Sequence, residues 1–595
     1  MKEKRNRKGK SMKKILLVAI NAKYIHSNLA VYSLKAAAGK YGDQIEIAEY
    51  TINQQPDQIL GDIYRRKPDV AAFSCYIWNG KLIGELMQEL PKILPHTEIW
   101  AGGPEVSYDA EKFLKKHPEI RGVMRAEGEG NFPKLASYYI EETGVLSEIE
   151  NLTYRDMDGN ICETPWAEPI SMDEMPFAYE NLHDFEHKII YYESSRGCPF
   201  RCSYCLSSID KRVRFRSLAL VKKELQVFLD ARVPQVKFVD RTFNCNPRRT
   251  VELLNWIQEH DNGVTNFHFE IAADITTEEE LAIMEQMRPG LIQLEIGVQS
   301  TNPKTVEAIH RTMDLTKLAE VVSRVKGFGN IHQHLDLIAG LPYEDYESFH
   351  KSFVDVYALQ PEQLQLGFLK VLKGSYMEEQ KENYGLVYKG RPPYEVLYTR
   401  WLPYEDTLRL KGIEEMVEVY YNSRQFCYTL PWLERQFSDA FCMFEELAVY
   451  YEKHGLHLLN HSRTSRYEIL LDFAGEKDAQ HLEQYRQLLI LDFYLRENAK
   501  NRPEFAGEEL LDKEEERRFY DREAEERKYL GDYETSEKRK LRKMTHLEKF
   551  SWDVMGNMES RTVLLLFDYQ KRNPLNYQAR VEVVENPERV LAKQE

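Results

Sequence analysis

The most informative stretch of the chain is residues 191–208, which read YYESSRGCPFRCSYCLSS. Cys198, Cys202 and Cys205 stand within eight residues, and the next cysteine downstream is Cys245. A structural zinc site takes four ligands, usually as two cysteine pairs, and no second pair follows this triplet. A [4Fe-4S] cluster is held by cysteine thiolates, and three of them leave one iron open to another molecule. The triplet therefore favours such a cluster over zinc.

The cysteines follow the first of six short apolar runs that alternate with amphipathic segments. These runs are KIIYYES, QVKFVDR, NFHFEIA, GLIQLEIGVQS, HQHLDLIAGLP and QLQLGFLKVL. Strands that alternate with helices in this way predict parallel strands connected by helices. Six units over residues 186–385 predict a partial (β/α)6 barrel of the TIM type rather than a complete eightfold one.

An earlier unit, residues 12–145, has the same alternation and predicts a doubly wound, Rossmann-like α/β domain. In such sheets a ligand binds at the carboxyl ends of the strands. No G-x-G-x-x-G sequence is present there, so an ordinary NAD site is not predicted. The strand ends carry the candidate binding residues Asn21, Ser74, Tyr76, Trp78, Gly102, Gly103, Pro104, Glu127 and Gly128.

The remaining segments are assigned by composition. Residues 1–11 form a basic tail, and residues 146–185, rich in acidic residues and proline, are predicted to be a linker. Residues 386–595 are predicted to form a mainly helical α+β accessory domain. Within it, the mixed-charge run over residues 501–545 is typical of a solvated helix or connector. Two strands are predicted near its end, at RTVLLLFDYQKRNP and ARVEVVE.

Overall composition limits the partners of the protein. With 595 residues the chain is expected to contain several domains. The formal net charge of −16 disfavours nucleic acid as a partner and favours a small molecule. No apolar run reaches the roughly 18 residues that a membrane span requires, and no export signal is evident, so a cytoplasmic location is expected.

The cysteine motif C-x-x-x-C-x-x-C, with Tyr204 directly before the last cysteine, resembles that of the radical S-adenosylmethionine (SAM) superfamily. The resemblance implies that Cys198, Cys202 and Cys205 bind a [4Fe-4S] cluster whose open iron chelates SAM. It also implies one-electron cleavage of SAM to a 5'-deoxyadenosyl radical. The electron would come from a partner such as flavodoxin or ferredoxin.

Later strands resemble the SAM-binding strands of the same superfamily, at FVDRTFN, FEIAADI, EIGVQS and DLIAGLPYE. One departure is that related enzymes often carry an arginine where this chain has Ala272 or Ala273. The SAM-binding residues that the resemblance implies are Tyr204, Val239, Asp240, Glu270, Glu295, Gln299, Ser300, Ile338 and Leu341.

The domain order, and the loops FSCYIWN, AGGPEVS and AEGEGNFPKL, resemble the cobalamin-binding class of radical SAM enzymes. The resemblance implies that the strand-end residues of the first domain bind cobalamin. The D-x-H-x-x-G sequence that supplies a histidine ligand to cobalt is absent, because Tyr24 and Leu29 flank His26 in its place. His26 is therefore expected to be a hydrogen-bonding residue. Either cobalt has no histidine ligand, or cobalamin is not bound.

The function implied is that of a cobalamin-dependent radical SAM enzyme that methylates an unactivated carbon or phosphorus centre of a small molecule. Two alternatives remain open: a radical SAM enzyme that catalyses rearrangement or cyclisation, and a non-catalytic sensor of redox state or vitamin supply. Methylthio transfer is not favoured, because it requires three further cysteines in the first domain. Only Cys75 and, in the linker, Cys162 are present.

Overall fold

The computed structural model describes residues 13–209, 212–533 and 537–591. The predicted basic tail over residues 1–11 lies outside this range. The described chain forms an N-terminal sheet domain, a six-stranded barrel and a mainly helical C-terminal region. The α/β fold class predicted from the sequence is confirmed.

The first domain is a seven-stranded sheet in the order β2-β1-β3-β4-β5-β6-β7, covered by helices. Its first five strands are parallel, and the last two are antiparallel. Two hydrophobic cores form, and β1 is buried along its whole length because it lies inside the sheet. The strands are β1 Ile15–Asn21, β2 Ile45–Thr51, β3 Val70–Ser74, β4 Glu98–Gly102, β5 Gly122–Met124, β6 Leu152–Arg155 and β7 Ile161–Glu163. The helices are α1 Leu29–Ala37, α2 Pro56–Arg66, α3 Gly80–Ile93, α4 Pro104–Ser107, α5 Ala110–Lys116 and α6 Phe132–Ile140.

Strands β6 and β7 correct the prediction of a linker over residues 146–185. They form a hairpin that pairs with β5 and extends the sheet. Gly159 has φ 86° in the turn, a backbone conformation that glycine adopts without strain. The Asp156 carboxylate accepts hydrogen bonds from the amides of Asp158 and Asn160. The first domain therefore reaches Glu163, and the linker begins only after it.

The second unit is a six-stranded sheet in which all neighbouring strands are parallel, in the order β8-β11-β12-β13-β14-β15. All six strands predicted from the sequence are present. A short hairpin, β9 with β10, flanks the cysteine loop. The strands are β8 Ile190–Tyr192, β9 Ser195–Arg196, β10 Arg214–Phe215, β11 Gln235–Phe238, β12 Asn266–Ile271, β13 Ile292–Gln299, β14 His332–Ala339 and β15 Gln363–Phe368. The helices are α7 Leu218–Asp230, α8 Pro247–Glu259, α9 Glu278–Glu285, α10 Pro303–Ala308, α11 Leu315–Phe328 and α12 Tyr346–Tyr357.

The C-terminal region is mainly helical and ends in a three-stranded antiparallel sheet. This sheet has one strand more than the sequence predicted. Its strands are β18 Thr545–Trp552, β19 Ser560–Arg572 and β20 Ala579–Val583. Two short strands earlier in the region, β16 Val387–Tyr388 and β17 Val396–Tyr398, form a separate pair. The helices are α13 Tyr376–Glu379, α14 Lys381–Tyr384, α15 Tyr404–Met416, α16 Thr429–Leu433, α17 Ala440–Lys453, α18 Arg463–Lys477, α19 Leu482–Arg496, α20 Lys513–Glu526, α21 Lys538–Met544 and α22 Pro587–Leu591.

The mixed-charge run over residues 501–545 forms α20 and α21, and it is not solvated on every face. Phe519 and Tyr520 are fully buried in a small core against the terminal sheet. None of the described helices has the length and apolar content needed to cross a bilayer.

The barrel and the C-terminal region share one continuous hydrophobic core. Asn422 also contacts the outermost barrel strand: its side-chain oxygen accepts from the Leu364 amide, and its side-chain NH2 donates to the Leu364 carbonyl, both at 2.9 Å. The Asn422 side chain thus makes the same pair of hydrogen bonds to β15 that a further strand would make. The C-terminal region therefore covers the open edge of the barrel sheet.

Candidate active site

A cavity of about 1410 Å³ lies between the strand ends of the first domain and the mouth of the barrel. Both domains line it, and Cys205, Val239 and Arg241 belong to the barrel side. Pockets for one small ligand usually measure about 300–1,000 Å³. The cavity therefore has room for more than one bound molecule.

The first-domain wall brings together every residue that the sequence assigned to the cobalamin site. Gly103 has φ 106°, and a Cβ there would lie 2.5 Å from the carbonyl oxygen of Cys75. A Cβ on Gly128 would lie 2.6 Å from Leu34 Cδ2. Only glycine fits at both positions without displacement of a neighbour. The predicted residues that line the cavity are Asn21, Ser74, Tyr76, Trp78, Gly102, Gly103, Pro104, Glu127 and Gly128.

The loop after β3 is held in place by hydrogen bonds to β1. Trp78 Nε1 and Asn79 Nδ2 both donate to the carbonyl of Ile20, at 3.2 Å and 3.0 Å. The rings of Tyr76 and Trp78 are stacked, with centroids 4.3 Å apart. Asn28 Oδ1 is buried on the same wall and has no hydrogen-bond partner. This wall thus offers stacked aromatic rings and an unpaired acceptor to a ligand.

His26 lies at the junction of the two domains. Its Nδ1 is 2.6 Å from the hydroxyl oxygen of Tyr191 on β8, and its ring lines the cavity. Burial, together with the positive charges of Lys23 and Lys237, lowers the pKa of His26. The imidazole is therefore neutral at pH 7 and hydrogen-bonded, as the sequence predicted.

Asp240 holds the backbone just before the cysteine loop in place through hydrogen bonds to Ser194 and Ser195. This carboxylate is 2% exposed. It accepts hydrogen bonds from the Ser194 amide at 2.7 Å, the Ser194 hydroxyl at 2.6 Å and the Ser195 hydroxyl at 2.8 Å. The side chain of Asp240, predicted to bind SAM, thus points into the protein and positions the loop that carries the cysteines. Its neighbour Val239 lines the cavity.

The three cysteines are free thiols, with Cys202 buried and Cys198 and Cys205 half-buried. Within the described ranges, two groups of three histidine, cysteine or carboxylate side chains have ligand atoms within 4.8 Å of one another, and neither includes these cysteines. One zinc ion, with bonds of about 2.3 Å in a tetrahedron, would hold three sulfurs about 3.8 Å apart. The three thiols are therefore not gathered around the position of a single ion.

Arg311, which the sequence analysis missed, lies beside the cysteines. Its Nη1 is 3.6 Å from Cys202 Sγ and 3.5 Å from the hydroxyl oxygen of Tyr204. Its other terminal nitrogen donates to the carbonyl of Gly297. The residue sits in the loop after α10, where no strand or helix pattern marks it. It places a positive charge next to a predicted cluster ligand.

Three of the residues predicted to bind SAM come together in one apolar cluster. Tyr204 and Ile338 pack at its edge, and Leu341 is fully buried within it. Val371 and Val396 from the segments after the barrel complete the cluster. An apolar surface beside the cysteine loop suits a flat aromatic ring.

Glu295 and Glu270 lie inside the barrel, among charged neighbours. Glu295 Oε2 is 2.9 Å from Lys237 Nζ and 3.0 Å from His268 Nε2. Burial opposes ionisation of Glu295, but these neighbours outweigh it and hold its pKa well below the usual range. Burial raises the pKa of Glu270 to about 7, against the positive charge of Arg241. The barrel interior is therefore a network of charges rather than an apolar core.

The side chains of Gln299 and Ser300, both predicted to bind SAM, lie in different environments. Gln299 has φ 72°, and its Oε1 is buried without a hydrogen-bond partner. Ser300 is fully buried, and its hydroxyl donates to Glu344 Oε1 at 2.6 Å. The Ser300 hydroxyl is thus engaged away from the barrel mouth, whereas Gln299 keeps an acceptor for a ligand.

Half-buried ion pairs join the two domains beside the cysteine loop, and the sequence analysis missed them as well. Arg196, two residues before Cys198, contacts Glu129 of the first domain through both terminal nitrogens, at 2.5 Å and 3.2 Å. Its Nε donates to Glu193 at 2.9 Å. Arg214 on β10 pairs with Glu127. The carboxylates and arginines lie far apart in sequence, so no local pattern connects them.

Three segments of the chain match known family models, and they coincide with the sheet domain, the barrel and the C-terminal region. Residues 15–136 match the family described as the B12 binding domain, and residues 192–356 match the Radical SAM superfamily. Residues 382–567 match a family of proteins of unknown function, DUF4080. The chain therefore combines these three regions in that order, and the resemblance found in the sequence is confirmed.

Individual relatives are similar over part of the chain. An uncharacterised methyltransferase of Pyrococcus horikoshii is 27% identical over 256 residues, which are 41% of this chain and 54% of the relative. The cobalamin-dependent radical SAM methyltransferase TokK of Streptomyces tokunonensis is 24% identical over 346 residues, 54% of this chain and 50% of TokK. The chain thus spans about half the length of these curated relatives.

Among solved structures, the fold is similar to that of OxsB, a cobalamin-dependent SAM radical enzyme solved with aqua-cobalamin and SAM bound. The TM-score is 0.57 at 16% sequence identity, over 80% of this chain and 78% of OxsB. This similarity extends beyond the first two domains and shows that the overall fold is shared.

Proposed function

We propose that the protein is a cobalamin-dependent radical SAM methyltransferase that acts on a small molecule. The observation that carries the proposal is the single cavity shared by the strand ends of a B12 binding domain and the cysteine loop of a radical SAM barrel. Its volume, about 1410 Å³, exceeds that of a usual pocket for one small ligand. Two relatives, 27% and 24% identical over the aligned residues, carry methyltransferase names.

The chain's own residues would hold the cofactors as follows. Cys198, Cys202 and Cys205 would bind the [4Fe-4S] cluster, and their loop is fixed by Asp240. When bound, the cluster, SAM and cobalamin supply a 5'-deoxyadenosyl radical and a transferable methyl group. A flavodoxin or ferredoxin would supply the electron.

The walls of the cavity would then orient these molecules against one another. Gly103 and Gly128 allow the first-domain backbone to approach the cobalamin ring closely, and Asn28 offers an acceptor to one of its amide groups. The apolar cluster around Leu341 would receive the adenine of SAM. Alignment of reacting groups in a site that excludes water is the main contribution a protein makes to radical chemistry of this kind.

The test is anaerobic reconstitution of the full chain with iron, sulfide and cobalamin, followed by dithionite and SAM carrying an isotopically labelled methyl group. We expect bound cobalamin, release of 5'-deoxyadenosine, and a labelled small molecule when an extract of metabolites is added. Release of 5'-deoxyadenosine with an altered but unlabelled product would instead indicate rearrangement or cyclisation. Binding of cofactors with no 5'-deoxyadenosine would indicate a sensor.

A further inference from the structure

One of the cationic side chains that line the cavity has no ion-pair partner among the described residues, whereas the others do. Five arginine and lysine side chains of the described chain line the cavity, and four are ion-paired. The Arg241 side chain is exposed and lines the cavity, and its guanidinium makes neither an ion pair nor a hydrogen bond with any described residue. The paired cations are Arg196 with Glu129, Arg212 with Glu168, Arg214 with Glu127, and Lys373 with Glu105 and Asp109.

Arg241 is well placed between the two domains. It directly follows Asp240, whose three hydrogen bonds fix the backbone at this point. Its charge favours the ionised forms of Tyr76, on the first-domain wall, and of Glu270, inside the barrel. The guanidinium therefore acts on both walls of the space in which a substrate would lie.

An unpaired guanidinium in this position has an energetic consequence. Water solvates Arg241 while the cavity is open, but cofactors that fill the cavity would displace much of that water. An ion that loses its hydration without gaining a partner carries a large free-energy cost, as unpaired ions in protein interiors do. A carboxylate or phosphate that pairs with the planar guanidinium removes this cost.

We propose that Arg241 binds an anionic group, a carboxylate or a phosphate, of the substrate, so that the substrate is an organic anion. This inference rests on the proposed function and specifies its substrate class. The carboxylate of SAM has a separate cation available, because Arg311 lies 3.6 Å from the cluster ligand Cys202. Arg241 is thus left for the third occupant of the cavity.

The test uses the full chain loaded with cluster, cobalamin and SAM, with acetate, inorganic phosphate and neutral acetamide as probes. Binding is followed by the absorption spectrum of the bound cobalamin. We expect saturable changes with acetate or phosphate and none with acetamide, and the anion that binds more tightly identifies the group. Arg241→Gln should weaken anion binding about ten-fold or more, and Arg241→Lys should weaken it less. Arg248→Gln removes the same charge seven residues later, outside the cavity lining, and should leave binding unchanged.

Two results would overturn the inference. Equal responses to the anions in the wild type and in Arg241→Gln would show that the arginine does not bind them. A loss of SAM or cobalamin affinity in Arg241→Gln, with anion binding intact, would assign the arginine to a cofactor. A wild-type protein that binds neither cobalamin nor SAM would contradict the proposed function itself, so the two failures are distinguishable.

Discussion

The two walls of the cavity are built on different physical principles. The first-domain wall consists of strand-end loops in which glycines such as Gly103 and Gly128 leave room and hydrogen bonds to Ile20 fix the shape. The barrel wall carries charged side chains such as Arg196, which pairs with Glu129, and deeper inside the barrel Glu295 is held between Lys237 and His268. We therefore expect the first wall to recognise a ligand through shape and backbone approach, and the second through charge.

This difference predicts that substitutions on the two walls act through different mechanisms. On the first wall, an added methyl group is the severe change, because it fills space that backbone or ligand needs. On the barrel wall, loss of one charge is the severe change, because its partner is left without compensation. The experiments below test that distinction.

Removal of one cysteine should have the largest effect and should be confined to the barrel. We expect Cys202→Ala to lose the iron of the cluster and all release of 5'-deoxyadenosine, because two thiolates do not hold a cluster that requires three. Cobalamin binding should persist, because the first domain has its own hydrophobic cores. Iron content, cobalamin absorption and product chromatography measure the three quantities.

Cys245→Ala is the matched control, because Cys245 is half-buried and lies outside the triplet. Normal iron content and SAM cleavage are expected in this variant. Iron retained in Cys202→Ala would show that the ligands are assigned wrongly.

On the first wall, Gly103→Ala should weaken cobalamin binding about ten-fold or more. A Cβ at this φ of 106° would lie 2.5 Å from the Cys75 carbonyl, so the loop between β4 and α4 must shift. Backbone strain of this kind also costs about 1–3 kcal/mol of unfolding free energy. Affinity is measured by titration with cobalamin, and stability by chemical denaturation.

Gly144→Ala separates strain from loss of the binding surface. Gly144 has φ 80° and no atom within 4 Å of an added Cβ, and it does not line the cavity. The Gly144→Ala variant should therefore be less stable than the wild type but bind cobalamin with the same affinity. Equal affinities in the two variants would contradict a cobalamin site at Gly103.

Inside the barrel, Glu295→Gln should lower the free energy of unfolding by about 2 kcal/mol, because Lys237 loses its carboxylate partner. Cobalamin affinity should not change. The double variant Lys237→Met/Glu295→Gln should recover part of the loss, since no unpaired ammonium remains. Denaturation of the three variants measures this, and additive losses would show that the pair is not coupled.

The smallest expected effect is a change in the pH dependence of stability caused by Glu270. Burial raises its pKa from the usual 4.5 to about 7 in the folded protein. Between these values the folded state keeps a proton that the unfolded state has released, so the free energy of unfolding falls as pH rises through this window. The Glu270→Gln variant has no ionisable group at this position, so its free energy of unfolding does not fall for this reason.

The variant should therefore equal the wild type near pH 4 and exceed it in stability at pH 8. Denaturation at a series of pH values measures the difference. A difference that stays constant between pH 4 and pH 8 would mean that Glu270 titrates normally.

Sequence alone predicted the barrel strands and the strand ends of the first domain, because both depend on local alternation of apolar segments. It missed the β6–β7 hairpin, since the acidic and proline-rich composition of residues 146–185 masked a short turn at Gly159. The interpretation of Ser300 was limited in another way. The motif locates the residue on the chain, but only the packing of α12 shows that its hydroxyl contacts Glu344.

Residues whose roles arise from tertiary contacts left no sequence signal. Arg311 contacts Cys202, which lies 109 positions earlier in the sequence, and Arg196 contacts Glu129, which lies 67 positions earlier. Neither pair follows from strand or helix periodicity. A sheet of parallel strands brings its loops to one edge, but which charges meet there depends on how the second domain packs against the first.

The contact between Asn422 and β15 limits how far the chain can be shortened from its C-terminal side without exposing the edge of the barrel sheet. A chain ending near residue 385 would keep all six barrel strands yet leave the β15 edge without its hydrogen bonds and the shared core without its C-terminal half. Exposed strand edges pair with other chains and aggregate. The smallest soluble fragment that carries the cluster loop is therefore expected to extend through the DUF4080 region, which serves the barrel as part of its scaffold.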